Sequence, residues 1–164
     1  MLYRWVVLIL FALQAGLSQF LWINYAPLLS KVQSLYGVSE SQAGLLMLVF
    51  PFVYMVLSVP AGVLIDRKGY VFSVGLGSIL MAAFACLRLV EGGYWLLFVA
   101  QTGISIGQPF VVNGVSKLVL DWFPQEQDAL ANGVGTMGMF IGMATAMAST
   151  PAMVSAWGLS ATMA

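Results

Sequence analysis

The chain contains no histidine and a single cysteine, Cys86. The first absence removes the commonest metal ligand and the usual proton shuttle, and the second excludes an internal disulfide. Charge is almost as scarce. Only 7% of the 164 residues are Asp, Glu, Lys or Arg, where an ordinary water-soluble domain carries about 25%. Six basic and six acidic residues cancel to a net charge of zero, and no run of Lys or Arg offers a footprint for nucleic acid. No carboxylate or basic residue lies in the middle of an apolar stretch, where a proton-coupled carrier usually holds one. A nucleophile, an acid pair or a metal set cannot be assembled either, so neither an intramembrane enzyme nor a cofactor is expected.

What remains is apolar. With 61% hydrophobic residues and a mean hydropathy of +0.96, the chain has too little polar surface to coat a soluble globule and belongs in the lipid bilayer. Crossing the hydrocarbon takes roughly 20 apolar residues per helix. Five stretches supply them, near Trp5 to Leu29, Gln42 to Leu64, Val71 to Leu89, Tyr94 to Leu120 and Ala129 to Thr150, and a sixth apolar run starts near Val154 and reaches Ala164. The expected fold is an all-α membrane bundle with five complete spans and the start of a sixth. Residues 1–164 then form one transmembrane domain that stops within helix six. The opening run is too long for the core of a secretory signal and lacks a small-x-small cleavage site, so it reads as a span.

The connections orient the bundle. Ser39-Glu40-Ser41-Gln42 has the spacing of a capping box and predicts the start of the second helix. With spans alternating, Arg4, Arg67, Lys68 and Lys117 fall on one face and Lys31 and Arg88 on the other. The positive-inside rule then puts the amino terminus in the cytoplasm, in a plasma or inner membrane. Gly103, Gly107 and Gly114 on helix four, and Gly138, Gly142, Ala146 and Thr150 on helix five, form small-residue stripes suited to close helix packing. Met139, Met143 and Met147 form a separate stripe that reads as packing rather than a metal ladder. Pro51, Pro60 and Pro109 should bend their helices.

Polar residues inside the spans carry the functional signal. At 100° per residue, Gln14, Ser18 and Tyr25 lie within about 40° of one another, with Trp22 slightly to the side. On helix four, Gln101, Ser105 and Gln108 share a second stripe. Either stripe can line a wet interior or form hydrogen bonds between helices.

The turn Gly62-Val63-Leu64-Ile65-Asp66-Arg67-Lys68-Gly69-Tyr70 resembles the loop between the second and third helices of the major facilitator superfamily, whose pattern is Gly-x-Leu-Ala-Asp-Arg-x-Gly followed by two basic residues. The segment from Trp122 to Gly133, with its Trp-Phe-Pro, its charges and its Ala-Asn-Gly, resembles the cytoplasmic entry to helix five of the same superfamily. This resemblance implies the amino-terminal six-helix half of a twelve-helix secondary transporter or facilitator that works by alternating access. A carboxy-terminal half is then an expected partner, helices one and four flank the central cavity, and helix three packs outside. It also implies a conformational latch at Gly62, Asp66, Arg67 and Gly69. Two departures stand out: Tyr70 and Val71 replace the usual basic pair, and Gln101 takes the place of a helix-four arginine.

Within the superfamily, Tyr3-Arg4-Trp5-Val6-Val7-Leu8, Phe20-Leu21-Trp22-Ile23-Asn24-Tyr25 and Val99-Ala100-Gln101-Thr102 resemble the feline leukaemia virus C receptor related branch, associated with choline, ethanolamine and haem-related transport. Trp22 matches a tryptophan lining that branch's cavity, and the branch's helix-five glutamine falls near Thr136. The expected substrate is a small polar or organic-cation solute. Its candidate contacts are Gln14, Ser18, Trp22, Tyr25, Gln101, Ser105, Gln108 and Thr136. The competing reading is a half-sized membrane protein that dimerises through its glycine stripes or serves as a non-transporting scaffold.

Overall fold

A computed structural model describes residues 2–90 and 92–158. Its helices are α1 (Leu2–Ile23), α2 (Leu29–Tyr36), α3 (Glu40–Lys68), α4 (Tyr70–Leu87), α5 (Tyr94–Val112), α6 (Gly114–Trp122) and α7 (Asp128–Trp157), with short 3-10 turns at Ala26–Leu28 and Gln125–Gln127. They make five segments long and apolar enough to cross a membrane: Leu2–Tyr36, Glu40–Lys68, Tyr70–Leu87, Tyr94–Trp122 and Gln125–Trp157.

The distribution of side chains is the reverse of a soluble protein's. Leu13, Phe52, Met55, Val59 and Ile79 are exposed, whereas Gln101, Ser105, Gln108 and Thr150 are fully buried. Lipid solvates the first group, and of the second Gln101, Ser105 and Gln108 bond to groups inside the bundle.

Several local expectations hold for identifiable reasons. The Ser39 hydroxyl accepts from the Gln42 amide at 3.2 Å while the Gln42 side chain accepts from the Ser39 amide at 3.0 Å, closing the capping box that starts α3. Arg67 and Lys68 occupy the last turn of α3, where positive charge suits the negative end of the helix. Gly69 adopts φ of +82°, a region that side-chain-bearing residues rarely enter, and is the single residue between α3 and α4.

Other expectations need correction. The nine-residue turn is nearly all helix, since α3 runs to Lys68 and only Gly69 separates it from α4. The first span does not run unbroken from Trp5 to Leu29: α1 ends at Ile23, and a 3-10 turn containing Pro27 leads into α2, so Lys31 lies on a helix rather than in a loop. The fourth span is interrupted at Asn113, between α5 and α6. The fifth extends through Pro151 to Trp157, so Val154 belongs to it and opens no sixth span. The remainder of the expected sixth run, 159–164, lies outside the described residues.

Glycine sets the packing. The Gly16 carbonyl lies where a Cβ on Gly142 would stand, and the Ala12 carbonyl lies where one on Gly138 would, so α1 and α7 meet backbone to backbone. Gly77 and Gly107 do the same for α4 and α5. The helix-five and helix-four stripes are thus packing faces within this chain, as small residues at membrane interfaces allow. At one end, Trp5 packs edge-on against Phe123 at 5.0 Å, the Trp122 indole donates to the Tyr70 hydroxyl at 2.7 Å, and Lys117 pairs with Asp121 at 2.9 Å.

Candidate functional site

A missing donor fixes the centre of the site. Pro51, inside α3, has no N–H, so the Met47 carbonyl one turn earlier has no amide to accept from. The Trp22 indole N–H takes that place at 3.0 Å, and its ring lies 4.6 Å from the Phe50 ring at an interplanar angle of 50°. Trp22 therefore sits half-buried where α1 meets α3, its orientation set by a proline on the neighbouring helix.

Beside this pair opens a cleft between α3, the α5–α6 break and α7. Its apolar part, about 530 Å3, is lined among others by Gln19, Phe50, Tyr54, Thr136 and Met139. Its polar part, about 460 Å3, shares Tyr54, Thr136 and Met139 and adds Ser58, Asn113 and Ser116. The break at Asn113 has a polar purpose. The Tyr54 hydroxyl donates to its amide oxygen at 2.7 Å, and the amide nitrogen donates to the Ser58 carbonyl and hydroxyl at 3.1 and 3.2 Å. No charged side chain lines either part among the described residues.

Gln19 is the residue that sequence reasoning missed. It is 4% exposed, reaches the cleft and makes no side-chain hydrogen bond among the described residues, so its amide is available to a solute. Its signal was present: an amide in an apolar run, about 60° around the helix from Trp22.

The expected site residues separate into groups. Trp22 and Thr136 lie at or beside the cleft. Gln14 donates to the Ser78 hydroxyl at 2.7 Å and ties α1 to α4. Ser18 donates to the Ala15 carbonyl at 2.7 Å, its own carbonyl accepts from Gln108 at 2.8 Å, and Ser105 donates to the Gln101 carbonyl at 2.8 Å. Gln101 donates to the Trp22 and Leu46 carbonyls at 3.2 and 3.1 Å and accepts from Arg88. The three amides crosslink helices, whereas the Ser18 and Ser105 hydroxyls bond within their own helices. Tyr25 is 1% exposed beneath the Arg88 guanidinium, 5.0 Å from it. Of the expected latch, Gly62 lines the polar part of the cleft, Asp66 and Arg67 are exposed, and neither makes an ion pair among the described residues.

The description Major Facilitator Superfamily matches residues 11–164. The chain belongs to that superfamily. Members of that superfamily move solutes across membranes without making or breaking bonds. It is 28% identical over 154 residues to the choline/ethanolamine transporter FLVCR1 of Felis catus, covering 92% of this chain and 28% of that protein. Against solute carrier family 49 member A3 of Xenopus tropicalis it is 29% identical over 167 residues, covering 93% of this chain and 34% of the relative. An uncharacterised MFS-type transporter of Caenorhabditis elegans is 27% identical over 155 residues, 93% of this chain and 26% of its own length. The chain thus spans about a quarter to a third of the curated relatives it matches. The relation to the feline leukaemia virus C receptor type of transporter is distant but covers nearly the whole facilitator segment.

Proposed function

We propose that this segment forms one wall of a secondary transporter that carries a small polar or organic-cation solute by alternating access, together with a carboxy-terminal half. The observation that carries the reading is the uncharged cleft, with the free Gln19 amide at its floor and the Trp22–Phe50 pair beside it. An aromatic face attracts a quaternary ammonium by about 2 kcal/mol when desolvated. The hydroxyls of Tyr54 and Thr136 and the amides of Gln19 and Asn113 suit a hydroxyl or amine at the solute's other end. The choline/ethanolamine activity named for its relatives has this chemistry and supports the same substrate class.

Gln19→Leu tests the cleft directly. It keeps the volume and removes an amide that has no protein partner among the described residues, so uptake of choline by the complete protein should show KM raised about tenfold, the range for a hydrogen bond made to a charged or strongly polar solute. Unchanged kinetics at matched surface expression, for choline and ethanolamine alike, would remove the cleft from the substrate path.

The latch and the orientation belong to the same reading. Asp66 lies at the end of α3, exposed and without an ion pair among the described residues, so it is free to meet a helix amino terminus in the other half. Asp66→Asn should lower the maximal transport rate several-fold while substrate affinity holds, because a contact between halves shifts their equilibrium rather than the site. Equal rates for parent and variant would sink the latch. The four-to-two division of basic residues supports a cytoplasmic amino terminus, so a cysteine replacing Lys68, in a background without Cys86, should resist impermeant reagents in intact cells.

A further inference from the structure

The first span breaks where its last carbonyls need partners. The final backbone bond of α1 runs from the Asn24 amide to the Phe20 carbonyl, and the carbonyls of Leu21 and Trp22 receive no backbone amide. In hydrocarbon such groups cost several kcal/mol each when left bare. Two side chains from other helices cover them. Arg88, one residue past α4, donates from Nη2 to the Leu21 carbonyl at 2.9 Å and to the Gln101 side-chain oxygen, and Gln101 donates from its amide nitrogen to the Trp22 carbonyl at 3.2 Å. The same nitrogen reaches the Leu46 carbonyl on α3, one residue before the carbonyl that holds the Trp22 indole.

Arg88 thus caps α4 as a buried residue rather than a solvated charge. It is 7% exposed, stacks over Tyr25 at 5.0 Å and makes no ion pair among the described residues. A guanidinium at a helix carboxy terminus meets the negative end of the helix dipole and can bond two oxygens from one nitrogen, which an ammonium on a flexible stem does less well.

We propose that Arg88 is the positioning residue for Trp22. It acts directly on the Leu21 carbonyl and through Gln101 on the Trp22 carbonyl, so both peptide oxygens flanking the Trp22 backbone are held from α4 and α5. The Met47 carbonyl holds the indole from α3. With backbone and ring both fixed, the aromatic face is set against Phe50 and the cleft before any solute arrives. Such preorganisation raises affinity by removing the cost of ordering the ring on binding. The inference rests on the reading of Trp22 as part of the substrate wall.

The test uses the complete protein with Trp22 as its only tryptophan and tetramethylammonium as the probe. Arg88→Met is expected to raise acrylamide quenching of Trp22 about twofold and to weaken tetramethylammonium binding about fivefold, because the ring must then be ordered on binding. Arg88→Lys should lie between parent and Met. Gln101→Leu, which removes only the relay, should move quenching in the same direction, and it serves if Arg88→Met does not fold. A double-mutant cycle separates positioning from general damage. After Trp22→Ala, which leaves no ring to position, the further effect of Arg88→Met on affinity should shrink to less than half, whereas a merely structural effect would add in full. Parent-like quenching in both Arg88→Lys and Gln101→Leu, or full additivity in the cycle, overturns the proposal. If Trp22→Ala alone leaves tetramethylammonium binding unchanged, the substrate reading falls, and the quenching measurement still decides whether Arg88 positions the ring.

Discussion

Gly142→Leu is expected to prevent accumulation of folded protein. A Cβ at Gly142 would stand on the Gly16 carbonyl and press on the Gly16 Cα, both backbone atoms, so no rotamer change relieves the contact. The helices must separate instead, because the atoms in the way belong to the backbone of α1. Overpacking a well-filled interior costs about 1–3 kcal/mol where side chains can shift, and the upper end or beyond applies where only backbone can. Gly133→Ala on the same helix provides the control. Nothing lies within 4 Å of a Cβ there, so it should leave the melting temperature unchanged or raise it slightly, in line with the helix preference for Ala over Gly of about 1 kcal/mol. Detergent-solubilised protein followed by size-exclusion chromatography and thermal denaturation distinguishes the two. Equal melting temperatures would show that α1 and α7 do not approach as described.

Trp22→Ala is expected to have the second largest effect, and it should appear in two measurements that separate. Losing the indole leaves the Met47 carbonyl without a donor, because Pro51 cannot replace it, and a buried polar group left unpaired costs about 1–3 kcal/mol of stability. Losing the aromatic face against Phe50 removes the attraction for an organic cation, about 1–2 kcal/mol of binding. Trp22→Phe divides these. It forfeits the Met47 bond like Ala but keeps a ring, so its thermal stability should fall nearly as far while choline affinity falls less. Equal affinity losses for Phe and Ala would mean that the ring does not face the solute.

The sequence was most legible where structure depends on near neighbours. The capping box at Ser39 and Gln42, the five apolar stretches and the glycine stripes are patterns of spacing, and local geometry realises them without knowledge of the rest of the fold. The break after Ile23 was marked by Pro27, but a proline four residues past a helix end does not say where the helix stops. Arg88 was read as a loop charge because nothing near it in sequence asks for a cation. Its partners are a carbonyl on α1, 67 residues away, and an amide on α5. Gln14 and Ser18 share a face with Tyr25, yet Gln14 is committed to Ser78 on α4, while Gln19 reaches the cleft and makes no side-chain hydrogen bond among the described residues. Which polar residues line a cleft and which bind helices together is decided by the partners that tertiary packing brings, and periodicity on one helix cannot contain that choice.

The backbone contact between Gly16 on α1 and Gly138 and Gly142 on α7 has a mechanical consequence. Helices that mesh through large side chains behave like toothed gears: any rotation or slide must lift each knob out of its hole and reseat it in the next. Two glycine faces have no teeth. At these glycines a tilt of α1 against α7 has no side chain to lift and reseat, so it should meet less resistance there than at a joint of interlocked side chains. α1 carries Gln19, and α7 carries Thr136 and Met139, all on the wall of the cleft, so the smooth glycine contact joins two helices whose relative tilt would set the width of that wall.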